Sequence, residues 1–320
     1  MSTMPSEQEH ALPEGPGTPS ATVQGLAVHL PSRERPYAAP LQAVRDLTFT
    51  VPAGQVTAIV GANGAGKTTA LRALSSALPF AAGSIEVLGT ALGPATVALP
   101  AGVALVPDAP AYPARWTARH LARAHAATAS QFDHPRFSTH LTAHRVPERR
   151  PVRELSRGQL TQLAIAAALA QDPHLLILDE PFARLDPLAR TDLVDELRSL
   201  MAQDGRSILL ATHDLEGMDR FVDHLVVIAQ GRTVLEGEVE RLRDEFLLLE
   251  RAAGNEDAVA PDLIGAVTTG GTLRALVHLE EAAGLPPAAD LRRPGVHDLV
   301  THWLRAVSPP AATTSRRGAA

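Results

Sequence analysis

The sequence predicts an α/β fold in which helices cover both faces of a mainly parallel β-sheet. From residue 155 onward, strand-length apolar runs alternate with helix-length segments. These runs are continuously apolar, as expected for parallel strands that are buried on both faces. In addition, a glycine-rich loop at residues 61–69 joins a short apolar run to the start of a helix. This strand–loop–helix connection is typical of α/β proteins.

The N-terminal part of the chain predicts a β-rich section followed by a helical insert. Residues 22–60 hold short apolar runs broken by Pro and Gly, and residues 47–51 alternate in polarity as a strand does. Two further short strands are expected over 84–88 and 103–106. Residues 115–145 carry apolar side chains at helical spacing, which indicates a small helical insert.

The C-terminal half predicts alternating helices and strands. Their expected order is a helix over 159–171, a strand over 175–179, a helix over 187–203, a strand over 207–211, a helix over 215–221 and a strand over 224–229. Segments 242–249 and 273–283 have helical spacing, so each is predicted to be helical. Residues 241–307 are therefore expected to form a C-terminal α/β extension.

Composition restricts the possible functions of this 320-residue chain. Its formal net charge of −6 argues against non-specific nucleic-acid binding as the main role. The absence of cysteine excludes disulfides and thiolate chemistry. No apolar run approaches the roughly 20 residues that span a bilayer, and the N-terminus lacks the basic start and apolar core of a secretory signal. Residues 1–21 and 308–320 have the composition of disordered tails.

The loop at residues 61–69 carries the strongest chemical signal. It matches the phosphate-binding pattern G-x-x-x-x-G-K-[ST] without a mismatch. Glycines allow backbone N–H groups to approach phosphate oxygens, because they tolerate positive φ and lack a Cβ atom. Lys67 is expected to reach the β/γ-phosphates, and the Thr68 hydroxyl to take a Mg²⁺ position. The predicted nucleotide contacts of the loop are Gly61, Asn63, Gly64, Ala65, Gly66, Lys67, Thr68 and Thr69.

A second motif is the apolar strand at 175–178 that ends in Asp179 and Glu180. In a phosphate-loop fold such a strand lies beside the loop, so its C-terminal end faces the nucleotide. Asp179 is expected to help hold Mg²⁺ through water, and Glu180 to polarise the attacking water. Taken alone, the pattern fits equally well a strand that meets a polar turn. After a phosphate loop, it favours the catalytic interpretation.

A third motif is the pentapeptide Leu-Ser-Arg-Gly-Gln at residues 155–159, which precedes an Ala-rich helix. Ser156 is a candidate N-cap, and Gly158 leaves the start of the helix open to a ligand. Taken alone, this pentapeptide indicates only a capped helix. Its position shortly before the Asp-Glu strand makes it diagnostic.

In this order, the three motifs resemble the phosphate loop, the LSGGQ-type signature and the acidic strand of the ATP-binding subunit of an ATP-binding-cassette (ABC) transporter. Arg157 replaces a glycine of that signature, which the family's degenerate signature accommodates. The resemblance covers residues 22–240 and implies a P-loop NTPase fold of ABC type that binds ATP and Mg²⁺. It also implies an antiparallel β section and a small helical subdomain near residues 108–150.

The resemblance assigns further site residues by matching. His213, which follows the strand at 207–211, resembles the switch histidine that would contact the γ-phosphate and hold the attacking water. Asp186 resembles a residue at the dimer interface, and Arg184 stands where many relatives carry a small residue. Tyr37 lies at about the spacing of the aromatic that stacks on adenine, and a surface tyrosine is the alternative. The signature residues expected to contact nucleotide are Ser156, Gly158 and Gln159.

One position departs from the family's pattern. Relatives usually carry a glutamine that touches Mg²⁺ after the strand at 103–106, and here Asp108 stands at that site. An aspartate offers a hard oxygen ligand as glutamine does, but it adds negative charge beside Asp179 and Glu180. We hypothesise that Asp108 still serves the metal, directly or through water. A turn aspartate between prolines is the alternative.

The resemblance also implies partners. In the family, two nucleotide-binding domains pack head to tail, and each ATP lies between the phosphate loop of one copy and the signature of the other. A chain with one loop and one signature is expected to pair with a second copy or a related chain. It is also expected to need a separate transmembrane permease, docked on the helical insert at the cytoplasmic face of the membrane. A single cassette with a C-terminal extension favours an export-type transporter.

Other functions remain to be weighed against this one. Translation-factor cassette proteins carry two cassettes and a charged linker, and DNA-maintenance cassettes need a long coiled coil that the prolines before residue 114 exclude. A non-transport regulatory ATPase stays open as the alternative.

Metal binding by the histidines of the helical insert is disfavoured, because no cysteine or nearby carboxylate pair completes a ligand set. The histidines concerned are His120, His125, His134, His140 and His144.

Overall fold

The computed structural model describes most of the chain. The described residues are 17–31, 40–128, 131–213, 220–253, 262–285 and 289–307. Four expectations fall wholly or largely outside them: the tail over 1–21, the aromatic contact of Tyr37, the helix over 215–221 and the tail over 308–320. None of the helices in the described ranges combines the length and apolar character that crossing a bilayer requires.

Ten strands form one large, mixed sheet. Along the chain they are β1 (Ala21–Leu30), β2 (Leu41–Val51), β3 (Val56–Val60), β4 (Ala82–Val87), β5 (Thr90–Leu92), β6 (Val103–Val106), β7 (Leu175–Asp179), β8 (Ser207–Thr212), β9 (His224–Ala229) and β10 (Arg232–Glu238). Their order across the sheet is β5-β4-β1-β2-β10-β9-β3-β8-β7-β6. Strands β6, β7, β8, β3 and β9 are parallel, whereas β1, β2, β4 and β5 pair antiparallel. The predicted parallel sheet and the antiparallel section are both confirmed.

The central strands are buried on both faces, which explains their continuous apolar sequence. In β7, Leu176 and Leu178 face one hydrophobic core, whereas Leu175 and Ile177 face another. All four side chains are fully buried. Because the side chains of a strand alternate between its two faces, both alternate sets must be apolar here.

Seven helices are present in the described residues. They are α1 (Lys67–Leu74), α2 (Ala118–Thr128), α3 (His134–Ala143), α4 (Arg157–Leu169), α5 (Pro187–Met201), α6 (Val239–Glu245) and α7 (Val296–Val307). Helix α4 is buried on nearly all sides after its first turn, because Ile165 packs in the sheet core and Leu163 in a separate core with α2 and α3. It therefore joins the helical insert to the sheet.

A second sheet of four antiparallel strands follows α6. Its strands are β11 (Phe246–Ala252), β12 (Ile264–Thr269), β13 (Thr272–His278) and β14 (Asp290–Arg292), in the order β12-β13-β11-β14. The helices predicted over 242–249 and 273–283 are therefore wrong in large part. The first ends at Glu245, and the second is strand β13 followed by a 3₁₀ helix at Leu279–Gly284. Leu- and Ala-rich segments have helical propensity, but here the pairing of Phe246 with His278 and the burial of Leu248 and Leu276 in the main core decide the conformation.

The remaining differences concern element boundaries. The helix expected over 159–171 runs two residues earlier, and the one expected over 187–203 ends at Met201. The disordered tail expected over 1–21 overlaps strand β1, which begins at Ala21, and the Ser20 hydroxyl is hydrogen-bonded to that of Ser207 at 2.8 Å. The division of the chain at residues 240, 108 and 150 stays a prediction.

Candidate active site

The loop between β3 and α1 is held close to neighbouring backbone. A Cβ atom on Gly61 would lie 2.3 Å from the carbonyl oxygen of Ile228, so only glycine fits there. Gly66 caps α1 with φ of 111°, a left-handed conformation, and a Cβ atom on it would lie 2.9 Å from the Ala43 oxygen. The glycines of the motif are thus required by close backbone approach as well as by positive φ.

The strand register brings together the ends of β3, β7 and β8. Asp179, the last residue of β7, lies opposite Ala211 of β8. In turn, Thr212 of β8 lies opposite Val60 of β3, directly before the loop. The residues that follow these strands therefore meet at one edge of the parallel sheet, where ligands bind in open α/β sheets.

Lys67 lies at the centre of this edge and is buried, with 6% of its side chain exposed. Its Nζ atom donates to the Gly61 carbonyl at 2.7 Å and lies 3.5 Å from Glu180 Oε1. Lys67 is also the only lysine among the 29 Lys and Arg residues of the chain. A chain that uses arginine at every other basic position but keeps lysine here needs a compact ammonium group at this site. The single lysine is thus a signal in the composition that points to the same residue as the loop motif.

Thr68 and Asp179 form a pair of hard oxygen ligands. The Thr68 hydroxyl donates to Asp179 Oδ1 at 3.1 Å. Burial raises the pKa of Asp179 above its usual range, the Thr68 hydrogen bond opposes this rise, and the charges of Asp108 and Glu180 add to it. A cation bound here would offset the unfavourable burial of the carboxylate charge. The residues present therefore fit a Mg²⁺ ion.

Glu180 links the loop to His213. Its backbone adopts a positive φ of 50°, and its N–H donates to the Ala211 carbonyl at 2.8 Å. Its Oε2 atom lies 2.8 Å from Nδ1 of His213, which is half exposed. A non-glycine residue in the left-handed region is uncommon and occurs often at functional sites. The Glu180 carboxylate is thus aimed at both the Lys67 ammonium and the imidazole.

Lys67, Thr68 and Glu180 line a cleft of about 540 Å³, whereas Asp179 and His213 are not among its lining residues. Its predicted lining residues are Asn63, Gly64, Gly66, Lys67, Thr68, Thr69, Asp108 and Glu180. The sequence analysis did not single out the other lining residues, which are Leu30, Leu41, Gln42, Ala43, Arg45 and Gln230. Leu41 exposes 63% of its surface at the start of β2 and adds apolar surface to the cleft. No sequence motif marks these positions, because the fold brings β2 and the turn after β9 to the loop.

The signature segment lies elsewhere on the same chain. Ser156 is confirmed as the N-cap of α4: its hydroxyl accepts from the Gln159 N–H at 3.2 Å, and the Gln159 side chain accepts from the Ser156 N–H at 3.1 Å. None of the described residues that line the cleft belongs to 155–159. Asp186 is exposed and caps α5 by accepting from the Ala189 N–H at 2.9 Å. One chain thus presents its loop and its signature separately.

Asp108 and Arg184, the two residues that depart from the family's pattern, contact each other. Arg184 Nη2 lies 3.0 Å from Asp108 Oδ1, and Nη1 of the same guanidinium donates to the Asp108 carbonyl oxygen. The two side chains are about one-third exposed. The guanidinium therefore offsets the negative charge that Asp108 brings toward Asp179. The sequence showed both departures but not that one compensates for the other.

We expect the substitutions Asp108→Gln and Arg184→Ala to be coupled. Arg184→Ala should lower ATP turnover and change the Mg²⁺ concentration for half-maximal turnover, because it leaves the Asp108 charge uncompensated beside the other carboxylates. The double variant should recover part of this loss, with a coupling energy of about 0.5–3 kcal/mol. The measurement is a double-mutant cycle on kcat and on the Mg²⁺ concentration for half-maximal turnover.

The exposed pair Arg241 and Glu245 on α6, with Nε and Oε1 2.8 Å apart, provides the matched control cycle. Its coupling in the same assay should be close to zero, because an exposed helix pair far from the cleft cannot change turnover. Strictly additive effects of Asp108→Gln and Arg184→Ala would show that the two residues do not compensate each other.

Comparison with known proteins identifies relatives of known type. The family described as ABC transporter matches residues 44–183. The chain is 33% identical over 251 residues to the Nod factor export ATP-binding protein I of Sinorhizobium fredii, which covers 74% of this chain and 71% of that protein. It is 32% identical over 284 residues to the phosphonates import ATP-binding protein PhnC of Anaeromyxobacter dehalogenans. This alignment covers 81% of this chain and 56% of that protein.

Solved structures show the same fold. An ATP-binding subunit of an ABC transporter has a TM-score of 0.60 at 27% identity, covering 70% of this chain and 91% of that chain. A bacterial Atm1-family ABC exporter with ATP bound has a TM-score of 0.58 at 25% identity, covering 72% and 41% of the two chains. A dimeric ATP-binding cassette in a post-hydrolysis state, bound to ADP and Pi, has a TM-score of 0.59 at 18% identity, covering 68% and 98%. At that identity the third similarity shows the fold alone.

Proposed function

Because the chain belongs to the ATP-binding subunits of ABC transporters, a family of ATPases, we propose that it powers a separate transmembrane permease by hydrolysing ATP as a head-to-tail dimer. The observation that carries this proposal is the convergence of the loop, the acidic strand and His213 at one edge of the sheet. On this proposal the chain works at the cytoplasmic face of the membrane, held there by the permease.

The geometry supports a division of roles within the cleft. The Lys67 ammonium, which now bonds to loop carbonyls and faces Glu180, is placed to bind phosphate oxygens. The Thr68 hydroxyl and the Asp179 carboxylate would hold Mg²⁺, which supplies charge stabilisation to the phosphates when bound. Glu180 would polarise the attacking water, and His213, hydrogen-bonded to Glu180, would orient it. Leu41 offers the exposed apolar surface against which a purine could pack.

The separation of loop and signature supports a dimer. Ser156 and Arg157 are exposed at the start of α4, outside the cleft of their own chain. A helix N-terminus favours negative charge, so the signature of a second copy would complete the donors around the γ-phosphate. Hydrolysis would then weaken the dimer by removing γ-phosphate contacts.

An export direction is the finer part of the proposal. The Nod factor export protein matches this chain across more than two-thirds of its own length, whereas the phosphonates import protein matches across 56%. The C-terminal extension, formed by the second sheet and α7, also favours export over import. On this proposal the permease determines which substrate is transported.

The absence of native cysteine allows a direct test of the dimer. The variant Asn63→Cys/Arg157→Cys would be prepared in the Glu180→Gln background and treated with a short bis-maleimide cross-linker. With Mg-ATP we expect a covalent dimer, because in a head-to-tail arrangement the loop of one copy faces the signature of the other. Little covalent dimer should form without nucleotide, and neither single-cysteine variant should form one with Mg-ATP.

Arg119, which is exposed on α2, provides the matched control. The variant Asn63→Cys/Arg119→Cys carries the same number of thiols but should give no nucleotide-dependent dimer. Equal cross-linking of the two double variants, or none with Mg-ATP, would contradict the head-to-tail dimer. It would shift the assignment toward a regulatory ATPase.

A further inference from the structure

His140, His144 and Glu196 meet between helix α3 of the insert and helix α5 of the sheet core. His140 Nδ1 lies 3.0 Å from Glu196 Oε2, and His144 Nε2 lies 3.0 Å from Glu196 Oε1. The two imidazole rings are one helical turn apart, with centroids separated by 4.4 Å. One ligand atom from each residue falls within 4.8 Å of the others. The carboxylate that sequence analysis found missing comes from a residue 52 positions away from His144.

The second nitrogen of His140 is oriented by Gln162. Its Nε2 atom lies 2.9 Å from Gln162 Oε1, a buried contact with α4 in which the amide oxygen accepts. With the amide oxygen as acceptor, Nε2 of His140 carries a proton, and Nδ1, which faces Glu196, is the nitrogen that the neutral imidazole offers to a metal ion. An acceptor that orients the outer nitrogen of a metal-binding histidine is a common feature of metal sites.

Nδ1 of His140 and Oε2 of Glu196 lie within hydrogen-bonding distance, but their geometry is not that of a hydrogen bond. Glu196 Oε2 is buried and makes no hydrogen bond within the described part of the chain. It nevertheless lies 3.0 Å from Nδ1 of His140. Two unprotonated acceptors this close repel each other, so the contact is stabilised either by a proton on Nδ1 or by a bound cation. Tetrahedral ligand atoms about 2.0–2.2 Å from a zinc ion are about 3.3–3.6 Å apart, so the two 3.0 Å contacts would widen slightly around a bound ion.

The surroundings favour a cation and leave it accessible. The cluster opens into a cavity of about 620 Å³ that is also lined by Asp192 and Asp195 on α5. One cation, Arg136, lines the same cavity, but its guanidinium lies 3.7 Å from the Asp172 carboxylate, which partly compensates it. His140 is 6% exposed, so its imidazole is shielded from water, whereas Glu196 faces the cavity with 30% exposure. A bound ion could therefore keep a water molecule on its open side.

We propose that His140, His144 and Glu196 bind a divalent transition-metal ion, best matched by Zn²⁺, at a site distinct from the nucleotide cleft. Two imidazoles and one carboxylate form a three-ligand set that leaves a fourth position for water. The ion ties the C-terminal end of α3 to α5 and thereby fixes the helical insert against the sheet core. This proposal does not depend on the direction of transport or on the dimer.

The test is Zn²⁺ binding to the full chain without nucleotide, followed by competition with a chromophoric chelator. We expect the wild type to bind one tight equivalent of Zn²⁺. Glu196→Gln and His144→Ala should bind this equivalent at least 100-fold more weakly, so that it is not detected in competition with the chelator. Gln162→Leu, which leaves the three ligands in place, should weaken binding by about 10–100-fold. Co²⁺ should give visible absorption bands of a low-symmetry site in the wild type alone.

Three controls make the outcome decisive. His297→Ala removes an exposed histidine from α7 and should bind Zn²⁺ as the wild type does. Asp179→Asn should keep the tight Zn²⁺ equivalent that Glu196→Gln loses, because that equivalent is expected outside the nucleotide cleft. Zn²⁺ should raise the melting temperature of the wild type but not of Glu196→Gln, a near-isosteric variant that circular dichroism can confirm as folded. Equal Zn²⁺ binding by wild type and Glu196→Gln, or none by the wild type, would overturn the proposal.

Discussion

Glu180→Gln is expected to abolish ATP turnover while leaving ATP binding intact. The substitution keeps the side-chain volume and a hydrogen bond to His213, but it removes the charge that would polarise water. General-base catalysis contributes about 10²–10⁴-fold, so kcat should fall by that factor. The measurement is steady-state phosphate release, with nucleotide affinity determined in parallel. Light scattering should then detect an ATP-stabilised dimer that the wild type forms only transiently.

Glu238→Gln provides the charge-matched control for this prediction. Glu238 is exposed before α6 and its side chain makes no capping hydrogen bond, so its neutralisation should leave turnover unchanged. Full turnover in Glu180→Gln would mean that another group activates the water. A loss of ATP affinity in the same variant would instead indicate that Glu180 mainly holds Lys67 in position.

Lys67→Met is expected to remove high-affinity ATP binding. The side chain is buried and its ammonium faces loop carbonyls and Glu180, so no solvated group can take over its contact with phosphate. Truncating one partner of a buried, hydrogen-bonded charge pair costs about 2–5 kcal/mol, which corresponds to a loss of about 30-fold or more in affinity. Methionine preserves much of the apolar stem and so separates charge from packing. The measurement is calorimetric titration with Mg-ATP.

The solitary lysine allows an independent check of this prediction. Because Lys67 carries the only ε-amino group, an amine-specific reagent can modify only it and any α-amino group. Saturating Mg-ATP should protect Lys67 from labelling in the wild type, as measured by mass spectrometry of the loop peptide. Unchanged ATP affinity in Lys67→Met, or labelling that is insensitive to ATP, would exclude a contact between Lys67 and the nucleotide.

The central sheet could be predicted because its signals are local. The strands at 103–106, 175–179 and 224–229 were found at their observed bounds, since a strand buried on both faces must be continuously apolar and end at a polar or turn residue. Ser156 was found for the same reason: an N-cap is specified by the few residues that follow it.

The second sheet could not be predicted in this way. Segments 246–252 and 272–278 are rich in leucine and short, and such runs fit a helix and a strand about equally well. Their conformation is decided by pairing with each other and by packing of Leu248 and Leu276 against the main core. A strand in an antiparallel sheet depends on a partner that its own sequence does not show.

The class of fold and the residue types of the phosphate-binding part of the cleft follow from the sequence, because each motif occupies a continuous segment whose spacing carries its chemistry. Which distant residues meet depends on the folded chain. Arg184 contacts Asp108 across 76 positions, and Glu196 completes the histidine pair across 52. These contacts depend on the order of strands in the sheet and on which helix faces pack together. Neither is set by local spacing, so long-range pairs of charges and ligands become visible only in the folded chain.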